Sequence, residues 1–191
     1  MKLKFLENGG IMRTSHAKQL GITKEHLSLL VDLGELEKAA FGVYILPDEF
    51  ADKMYVTHLR RSKIIYSHET ALYLHDLTDR DPLSYCLTVP TGYNTKTLKE
   101  SGFKVFSIKK ELHEIGKIEL ETVFGNKVRA YDMERTICDC LRSRNQMDIE
   151  IVSEAIKRYV KRKDKNLPKL MDMAELFYVQ RLLRSYLEVL L

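Results

Sequence analysis

Cysteine is scarce in this sequence of 191 residues, which contains only Cys86, Cys138 and Cys140. A small and odd number of cysteines does not form a disulfide framework, so the sequence is not typical of a small secreted domain. The first residues, Met1-Lys2-Leu3-Lys4, lack the apolar run and the cleavage site of a signal peptide. The apolar stretch Leu182–Leu191 is too short to cross a bilayer. We therefore expect a cytoplasmic protein without a membrane partner.

Motifs of familiar catalytic chemistry are also missing. The sequence contains no glycine-rich phosphate loop, no Gly-x-Ser-x-Gly turn and no His-Glu-x-x-His helix. Cys138 and Cys140 lie two positions apart in a helical pattern, so their thiols point to different faces and do not easily share a metal ion. His68 and His75 are seven residues apart, which is too far for joint coordination. We expect no metal site, no cofactor and no enzymatic activity.

A nuclease is the enzymatic alternative that the residues leave open. Such an enzyme needs clustered acids and a lysine at a sheet edge, which hold Mg²⁺ and orient a water molecule. Glu119 and Glu121 share one face of a predicted strand, and Lys127 lies across the following turn. Because any solvent-facing hairpin produces this spacing, the match is loose.

The composition is that of a folded protein with room for two small domains. Apolar residues make up 45% of the chain and charged residues 30%, which is typical of a globular protein. The length fits one large domain or two small ones. Pro47-Asp48-Glu49 interrupts the hydrophobic pattern and marks a predicted boundary. We therefore expect a first domain over residues 1–50 and a second over residues 51–191.

The first fifty residues have the pattern of a winged helix-turn-helix. Thr14 is predicted to cap one helix, and Gly21 supplies the turn that ends it. Thr23 is predicted to cap a second helix. Loosely alternating residues follow over 35–46, with a bend predicted at Gly42. In a winged helix-turn-helix one helix enters the DNA major groove, so this order of elements predicts a DNA-binding domain.

Short strands and helices alternate in the second part of the chain. Ile118–Phe124 and Lys127–Tyr131 are predicted to form a hairpin around a two-residue turn at Gly125-Asn126. Asp132 is predicted to cap the long helix that follows, and helical patterns continue towards the C-terminus. The predicted class is therefore α+β, with an N-terminal winged helix-turn-helix and then a mixed α+β domain that has a small sheet and C-terminal helices.

Short polar side chains near the start of the predicted second helix can reach base edges or phosphates. Side chains of the preceding helix and of the strands are candidate contacts to the DNA backbone. Each is also compatible with an ordinary exposed position, and helix-turn-helix units serve as protein-docking modules as well. The predicted base-reading residues are Thr23, Lys24, His26 and Ser28. The predicted backbone contacts are Thr14, Ser15, Lys18 and Lys38.

The distribution of charge along the chain is more informative about binding surfaces than the net charge of +4. Residues 1–55 contain seven Lys and Arg but eight Asp and Glu, a balance of −1 that is unfavourable for contacts to phosphates. The densest basic cluster lies instead at Lys157–Lys169, with seven basic residues and one acid. That cluster is either a solvated helix end, where cations face the negative pole of the helix dipole, or a second contact surface.

Several short motifs occur in the order found in a known family. The first part contains Leu33-Gly34-Glu35-Leu36 and then Phe41-Gly42-Val43-Tyr44. The second part contains Ser67-His68-Glu69-Thr70-Ala71-Leu72, then Leu87-Thr88-Val89-Pro90, and finally Tyr131-Asp132-Met133-Glu134-Arg135-Thr136 followed by Cys138-Asp139. In this order the motifs resemble the bacterial AbiEi-type antitoxins of abortive-infection systems, over nearly the whole chain.

The resemblance implies an antitoxin of the type IV toxin–antitoxin class, which acts in defence against phage. In that family the winged helix binds inverted repeats in its own promoter and represses the operon. The C-terminal domain counters a nucleotidyltransferase-like toxin without forming a stable complex with it. We accordingly expect double-stranded DNA as partner, and a protein that is monomeric in solution and places two copies on the operator.

One position departs from the family pattern. Phe41 stands where a basic residue usually precedes Gly-Val-Tyr, and this change removes a contact to phosphate. Together with the local charge balance, it predicts DNA binding of moderate affinity and high salt sensitivity.

Two interpretations of the second domain remain open. Arg135 and Asp139 are four residues apart on one predicted helix, where they can form an ion pair. Either they belong to an antitoxin surface, or Arg135 holds the helix against the hairpin. A plain transcriptional regulator whose second domain senses a small ligand is a further alternative. The candidate antitoxin surface consists of Arg135, Asp139, Lys157, Arg158, Lys161 and Arg162.

Overall fold

The computed structural model describes residues 2–47 and 51–190, which form two compact units. The first unit extends to Ser62 and also includes Thr122–Lys127. The second contains Lys63–Glu121 and the chain from Val128 onwards. The sequence placed the domain boundary at residues 47–49, of which Asp48 and Glu49 lie outside the described residues. The first unit therefore continues beyond the predicted boundary.

Short helices and strands alternate in the first unit. Its strands form an antiparallel sheet in the order β1-β3-β2, with Met12 opposite Tyr44 and Ala40 opposite Val43. The elements are α1 (Lys2–Leu6), β1 (Ile11–Arg13), α2 (Thr14–Gln19), α3 (Lys24–Asp32), β2 (Glu37–Ala40), β3 (Val43–Ile45) and α4 (Lys53–Arg60). The main core consists of Phe5, Met12, Ala17, Ile22, Leu27, Leu36, Tyr44 and Leu46.

A tight link joins α2 to α3. Gly21 has a φ of 78°, a left-handed conformation that favours glycine, and the N–H of Ile22 donates to the carbonyl of Ala17 at 2.9 Å. The Thr23 hydroxyl accepts from the N–H of His26 at 3.3 Å, which confirms the predicted cap of α3. The predicted cap at Thr14 is wrong, because α2 begins at Thr14 itself and no side chain caps this helix.

Helix α4 extends the first unit and is fixed by Asp52. The Asp52 carboxylate caps the helix by accepting from the N–H of Tyr55 at 3.0 Å. The same carboxylate accepts from the hydroxyl of Thr122 at 2.6 Å and from the side-chain amide of Asn126 at 3.0 Å. These bonds explain why a distant segment of the chain belongs to the first unit. Thr122 and Asn126 lie seventy or more residues from Asp52 in the sequence.

The second unit contains a mixed sheet of five short strands. Its order is β6-β5-β4-β8-β7, with β4 antiparallel to β5 and parallel to β8, and β5 parallel to β6. The strands are β4 (Ile65–Tyr66), β5 (Cys86–Pro90), β6 (Lys104–Ile108), β7 (Lys117–Glu121) and β8 (Lys127–Tyr131). The predicted two-residue turn at Gly125-Asn126 is wrong, since β7 ends at Glu121 and Thr122–Asn126 forms a longer connection.

Helix α8 forms the centre of the second unit. Every residue from Glu134 to Leu141 is buried, and the Asp132 carboxylate accepts from the N–H of Arg135 at 2.8 Å, which confirms the predicted cap. Side chains of α8 belong to the main apolar core of the unit, together with those of the later helices. The helices are α5 (His68–Leu74), α6 (Lys96–Glu100), α7 (Lys110–His113), α8 (Met133–Arg142), α9 (Ile149–Lys161), α10 (Leu167–Leu176) and α11 (Gln180–Leu190).

The architecture is thus mixed α+β, with small sheets and C-terminal helices, as the sequence predicted. Within the described part of the chain, no helix has both the length and the apolar character needed to cross a membrane.

Candidate functional site

A groove of about 590 Å³ in the first unit is lined by five cationic side chains. They come from β1, α3, β2 and the end of α4, so four separate elements direct positive charge to one place. None of the eleven described residues that line the groove is acidic. The cations are Arg13, Lys24, Lys38, Arg60 and Arg61. The other lining residues are Thr14, Ser15, Phe41, Gly42, Val43 and Tyr44.

The turn between β2 and β3 forms one wall of this groove, and it is held to the start of α2. The backbone N–H of Thr14 donates to the carbonyl of Gly42 at 3.0 Å, and the Thr14 hydroxyl donates to the same oxygen at 3.3 Å. Gly42 has a φ of 73°, which allows the tight turn. The turn is therefore fixed relative to the helix pair.

Phe41 lies at this turn and is 82% exposed. The Lys38 ammonium lies 5.6 Å from the centroid of the Phe41 ring, a cation–π contact. A large apolar ring is thus exposed to solvent beside cationic side chains, although burial of such a ring is ordinarily favoured.

Four of the eight predicted DNA contacts line the groove, namely Thr14, Ser15, Lys24 and Lys38. The other four lie outside its lining. Of these, Thr23 already uses its hydroxyl to cap α3. The remaining three are Lys18, His26 and Ser28, of which all are exposed.

Sequence reasoning missed Arg13, Arg60 and Arg61. A signal for the last two was present, because a pair of arginines ends a helical pattern soon after the strands. Assigning that helix to the second domain hid the signal. Extending the count to residues 1–62 gives nine Lys and Arg against eight Asp and Glu, so α4 changes the local balance from −1 to +1.

In the second unit, Arg135 and Asp139 are interior residues rather than surface residues. They are 0% and 3% exposed, and the Arg135 Nε donates to Asp139 Oδ2 at 2.9 Å. Burial raises the pKa of the Asp139 carboxyl, although the charges of Arg135 and Arg142 oppose this shift. The prediction that Arg135 and Asp139 belong to an antitoxin surface is therefore wrong, because both side chains are buried.

The arrangement around Arg135 joins α8 to the loop before β7. Its Nη1 donates to the carbonyls of Leu112 and Ile115 at 2.9 and 2.8 Å. Its guanidinium carbon lies 4.1 Å from the ring centroid of Tyr131 and 4.0 Å from that of Phe177. Its Nη2 has no hydrogen-bond partner among the described residues. These contacts match the structural interpretation, in which Arg135 holds its helix against neighbouring elements.

Ion pairs neutralise part of the basic cluster at Lys157–Lys169. Arg158 pairs with Asp79 and Glu154, the closest contact being 2.5 Å to Asp79. Arg162 pairs with Asp164 at 2.8 Å. Of the candidate antitoxin residues, Lys157 and Lys161 remain as exposed cations. The cluster is thus less positive at its surface than its composition indicates.

Lys169, another cation of the cluster, forms ion pairs inside the second unit. The Lys169 ammonium lies 2.9 Å from Asp132 Oδ2 and 3.0 Å from Glu134 Oε2. The hydroxyl of Tyr159 donates to the other oxygen of Glu134 at 2.7 Å. Hydrogen bonds from Tyr159 and Lys169 lower the pKa of Glu134 although its burial opposes this shift.

The residues considered for a nuclease or a metal site occupy ordinary positions. Glu119 and Glu121 are exposed on β7. Cys138 and Cys140 are both buried as free thiols in α8. Across residues 2–47 and 51–190, no group of three or more His, Cys, Asp or Glu side chains is arranged to hold a metal ion.

No protein-family model and no curated protein matches this sequence. Among solved structures, the chain is similar to the crystal structure of the RV2827C protein from Mycobacterium tuberculosis, with 12% sequence identity and a TM-score of 0.59. The likeness covers 86% of this chain and 66% of that one, so this chain spans just under two thirds of the length of its structural relative. At this identity the likeness shows a shared fold alone.

Proposed function

We propose that the first unit is a winged helix-turn-helix that binds double-stranded DNA through the cationic groove. The observation that carries this proposal is the convergence of five cationic side chains on one groove beside α3, with no acid among the described residues that line it. Phosphate contacts supply most of the affinity in such complexes, and cations from separate elements can follow the curved path of a DNA backbone.

In this proposal α3 enters the major groove, with the turn between β2 and β3 as the wing. Lys24, in the first turn of α3, lines the groove, and Ser28 lies one helical turn further along the same face. Arg13, Lys38 and Arg60 contact phosphates on either side. Lys18, His26 and Ser28 are more distant contacts, because they do not line the groove.

We further propose that the protein is an antitoxin that represses its own operon and counters a nucleotidyltransferase-like toxin. The support is the series of motifs that resemble those of AbiEi-type antitoxins, together with the cationic groove in the first unit. Two copies bind an inverted repeat, one on each half-site. Since Arg135 and Asp139 are buried, the antitoxin activity uses other residues of the second unit, with Lys157 and Lys161 as exposed candidates.

The DNA-binding proposal is tested by titrating the full chain against a fluorescent duplex from its own promoter at several salt concentrations. Arg13→Ala, Lys24→Ala and Arg60→Ala are each expected to weaken binding and to reduce the slope of log K against log salt by about 0.9. Lys157→Ala and Lys163→Ala, at exposed positions of the second unit, serve as matched controls and leave the slope unchanged. Equal slopes for wild type and the triple variant Arg13→Ala/Lys24→Ala/Arg60→Ala would contradict the proposal.

The antitoxin proposal has a separate test in cells. Co-expression with the product of the neighbouring gene is expected to restore growth that this product alone arrests. Growth arrest that persists despite folded protein, with promoter repression intact, would leave a plain transcriptional regulator as the better description.

A further inference from the structure

Phe41 presents an aromatic ring to solvent from a rigid turn. The ring is 82% exposed, while the turn that carries it is held by two hydrogen bonds from Thr14 to the carbonyl of Gly42. The neighbouring strand residue Val43 is paired with Arg13 on β1 and is 1% exposed. In this backbone conformation the Phe41 ring points away from the core of its unit.

The surroundings of the ring define the chemistry of a ligand. Lys24, Lys38 and Arg60 line the same groove, so a ligand that fills it is anionic. The ring itself requires an apolar, flat surface, which a phosphate does not offer. A nucleic acid offers both, because base faces lie a short distance from the phosphates.

We propose that Phe41 is an apolar wedge that inserts at one base step of the bound duplex and partly unstacks it. This inference rests on the proposed DNA-binding function and adds the way in which the DNA is deformed. With α3 in the major groove, the Phe41 turn lies over the adjacent backbone and the ring enters the neighbouring minor groove.

The wedge also defines which DNA is preferred. Unstacking a base step costs free energy, and this cost is smallest at pyrimidine–purine steps such as TA and CA, which are the most easily kinked. The operator is therefore expected to carry a flexible step at the position that faces Phe41 in each half-site. Replacing that step with a stiff A-tract weakens binding although no hydrogen bond to a base is lost.

The test uses the full chain and promoter duplexes in which 2-aminopurine replaces one base at a time, since its fluorescence rises when stacking is lost. Wild-type protein is expected to raise the fluorescence at one step in each half-site. Phe41→Ala is expected to abolish this signal and to weaken binding about tenfold, while the salt slope stays unchanged because no charge is removed. Lys38→Ala shows the opposite pattern, with a smaller slope and the fluorescence signal retained.

Tyr178→Ala is the matched control for loss of an exposed aromatic ring, since Tyr178 is 95% exposed in the second unit. It is expected to change neither signal. Two results would contradict the wedge and leave the DNA-binding proposal intact. In the first, wild-type protein binds the duplex with a salt-dependent affinity but no position becomes fluorescent. In the second, Phe41→Ala binds as tightly as wild type. If wild-type protein binds no promoter duplex, the proposed function fails and the wedge fails with it.

Discussion

A Cβ atom on Gly116 would lie 2.8 Å from the Cβ of Arg135. The loop before β7 therefore approaches the first turn of α8 as closely as a glycine allows. The N–H of Asp132 donates to the Gly116 carbonyl at 2.8 Å, which fixes this approach. Because Gly116 also has a φ of 75°, two independent physical reasons require glycine at this position.

Replacing this glycine is expected to destabilise the second unit by both effects. Gly116→Ala combines the left-handed backbone penalty with a clash against the side chains of Arg135 and Asp132, for a total loss of about 2–4 kcal/mol. Gly92→Ala is the matched control, with a φ of 89° and open space around the new Cβ, and should lose only about 1–2 kcal/mol. Urea unfolding of both variants checks the difference. Equal losses would show that the loop moves away at little cost.

The buried ion pair between Arg135 and Asp139 predicts a strongly non-additive pair of substitutions. Arg135→Met leaves a buried carboxylate with one partner, Arg142, and should cost about 3–5 kcal/mol. The double variant Arg135→Met/Asp139→Leu should cost less than the sum of the single changes, because neither charge is left unpaired. The free energy of unfolding from urea titration is the measurement.

Arg142→Met is the control for that cycle. Arg142 pairs with the same carboxylate at 3.0 Å, but its side chain is 36% exposed. Arg142→Met should therefore lower the free energy of unfolding much less than Arg135→Met does. A cost for Arg135→Met no greater than that for Arg142→Met would show that the buried pair does not stabilise α8.

His68 predicts a loss of stability in mild acid. Burial lowers the pKa of its imidazole to about 3, and the nearby charges of Lys104, Arg142 and Arg135 act in the same direction. Below about pH 6.5 the unfolded chain binds a proton at this residue and the native state does not, so stability falls as pH falls towards 3, by about 1.4 kcal/mol per pH unit. Above this window both states are neutral and the residue adds no slope.

His68→Asn tests this directly. His68 has a φ of 52°, which asparagine tolerates, so the variant keeps the backbone and removes the titrating ring. The variant should show a flatter fall in stability between about pH 6.5 and pH 5, measured by urea unfolding at each pH. His26→Asn, at an exposed position of α3, should keep the wild-type slope. An unchanged slope in His68→Asn would place the titration elsewhere, with His75 the next candidate because burial also lowers its pKa.

The thiols are predicted to be unreactive in the native protein. Burial raises the pKa of Cys86 to about 11 and that of Cys138 to about 12, and Cys140 is fully buried as well. A colorimetric disulfide reagent should therefore label no thiol rapidly in buffer and all three in denaturant. Ser28→Cys supplies an exposed positive control and should react at once. Rapid labelling of a native thiol would show that α8 or β5 opens readily.

Local sequence signals predict several caps and helix ends correctly. The cap at Thr23 and the cap at Asp132 are confirmed, since each depends on a side chain and a backbone group three residues apart. Gly21 likewise ends α2 through bonds to nearby carbonyls. Such features depend on neighbours in the chain, which a single sequence displays.

Features that depend on distant partners were not accessible in this way. The hydrogen bond between Asp52 and Thr122 connects the start of α4 with a turn seventy residues later in the chain. The sequence pattern around each residue does not predict this contact. Consequently Arg60 was counted with the wrong domain. The sequence leaves two interpretations of Arg135 open, because a helical pattern alone does not show that α8 is buried from Glu134 to Leu141.

The return of Thr122–Lys127 to the first unit has a consequence for inheritance. A gene fragment that ends after Ser62 encodes the groove cations but omits the hydroxyl and amide groups that satisfy the Asp52 carboxylate, which is 3% exposed. One crossover cannot transfer this unit complete to another protein without also transferring Lys63–Glu121 of the second unit. The two units are therefore expected to pass through evolution as a single heritable block, and not as exchangeable modules.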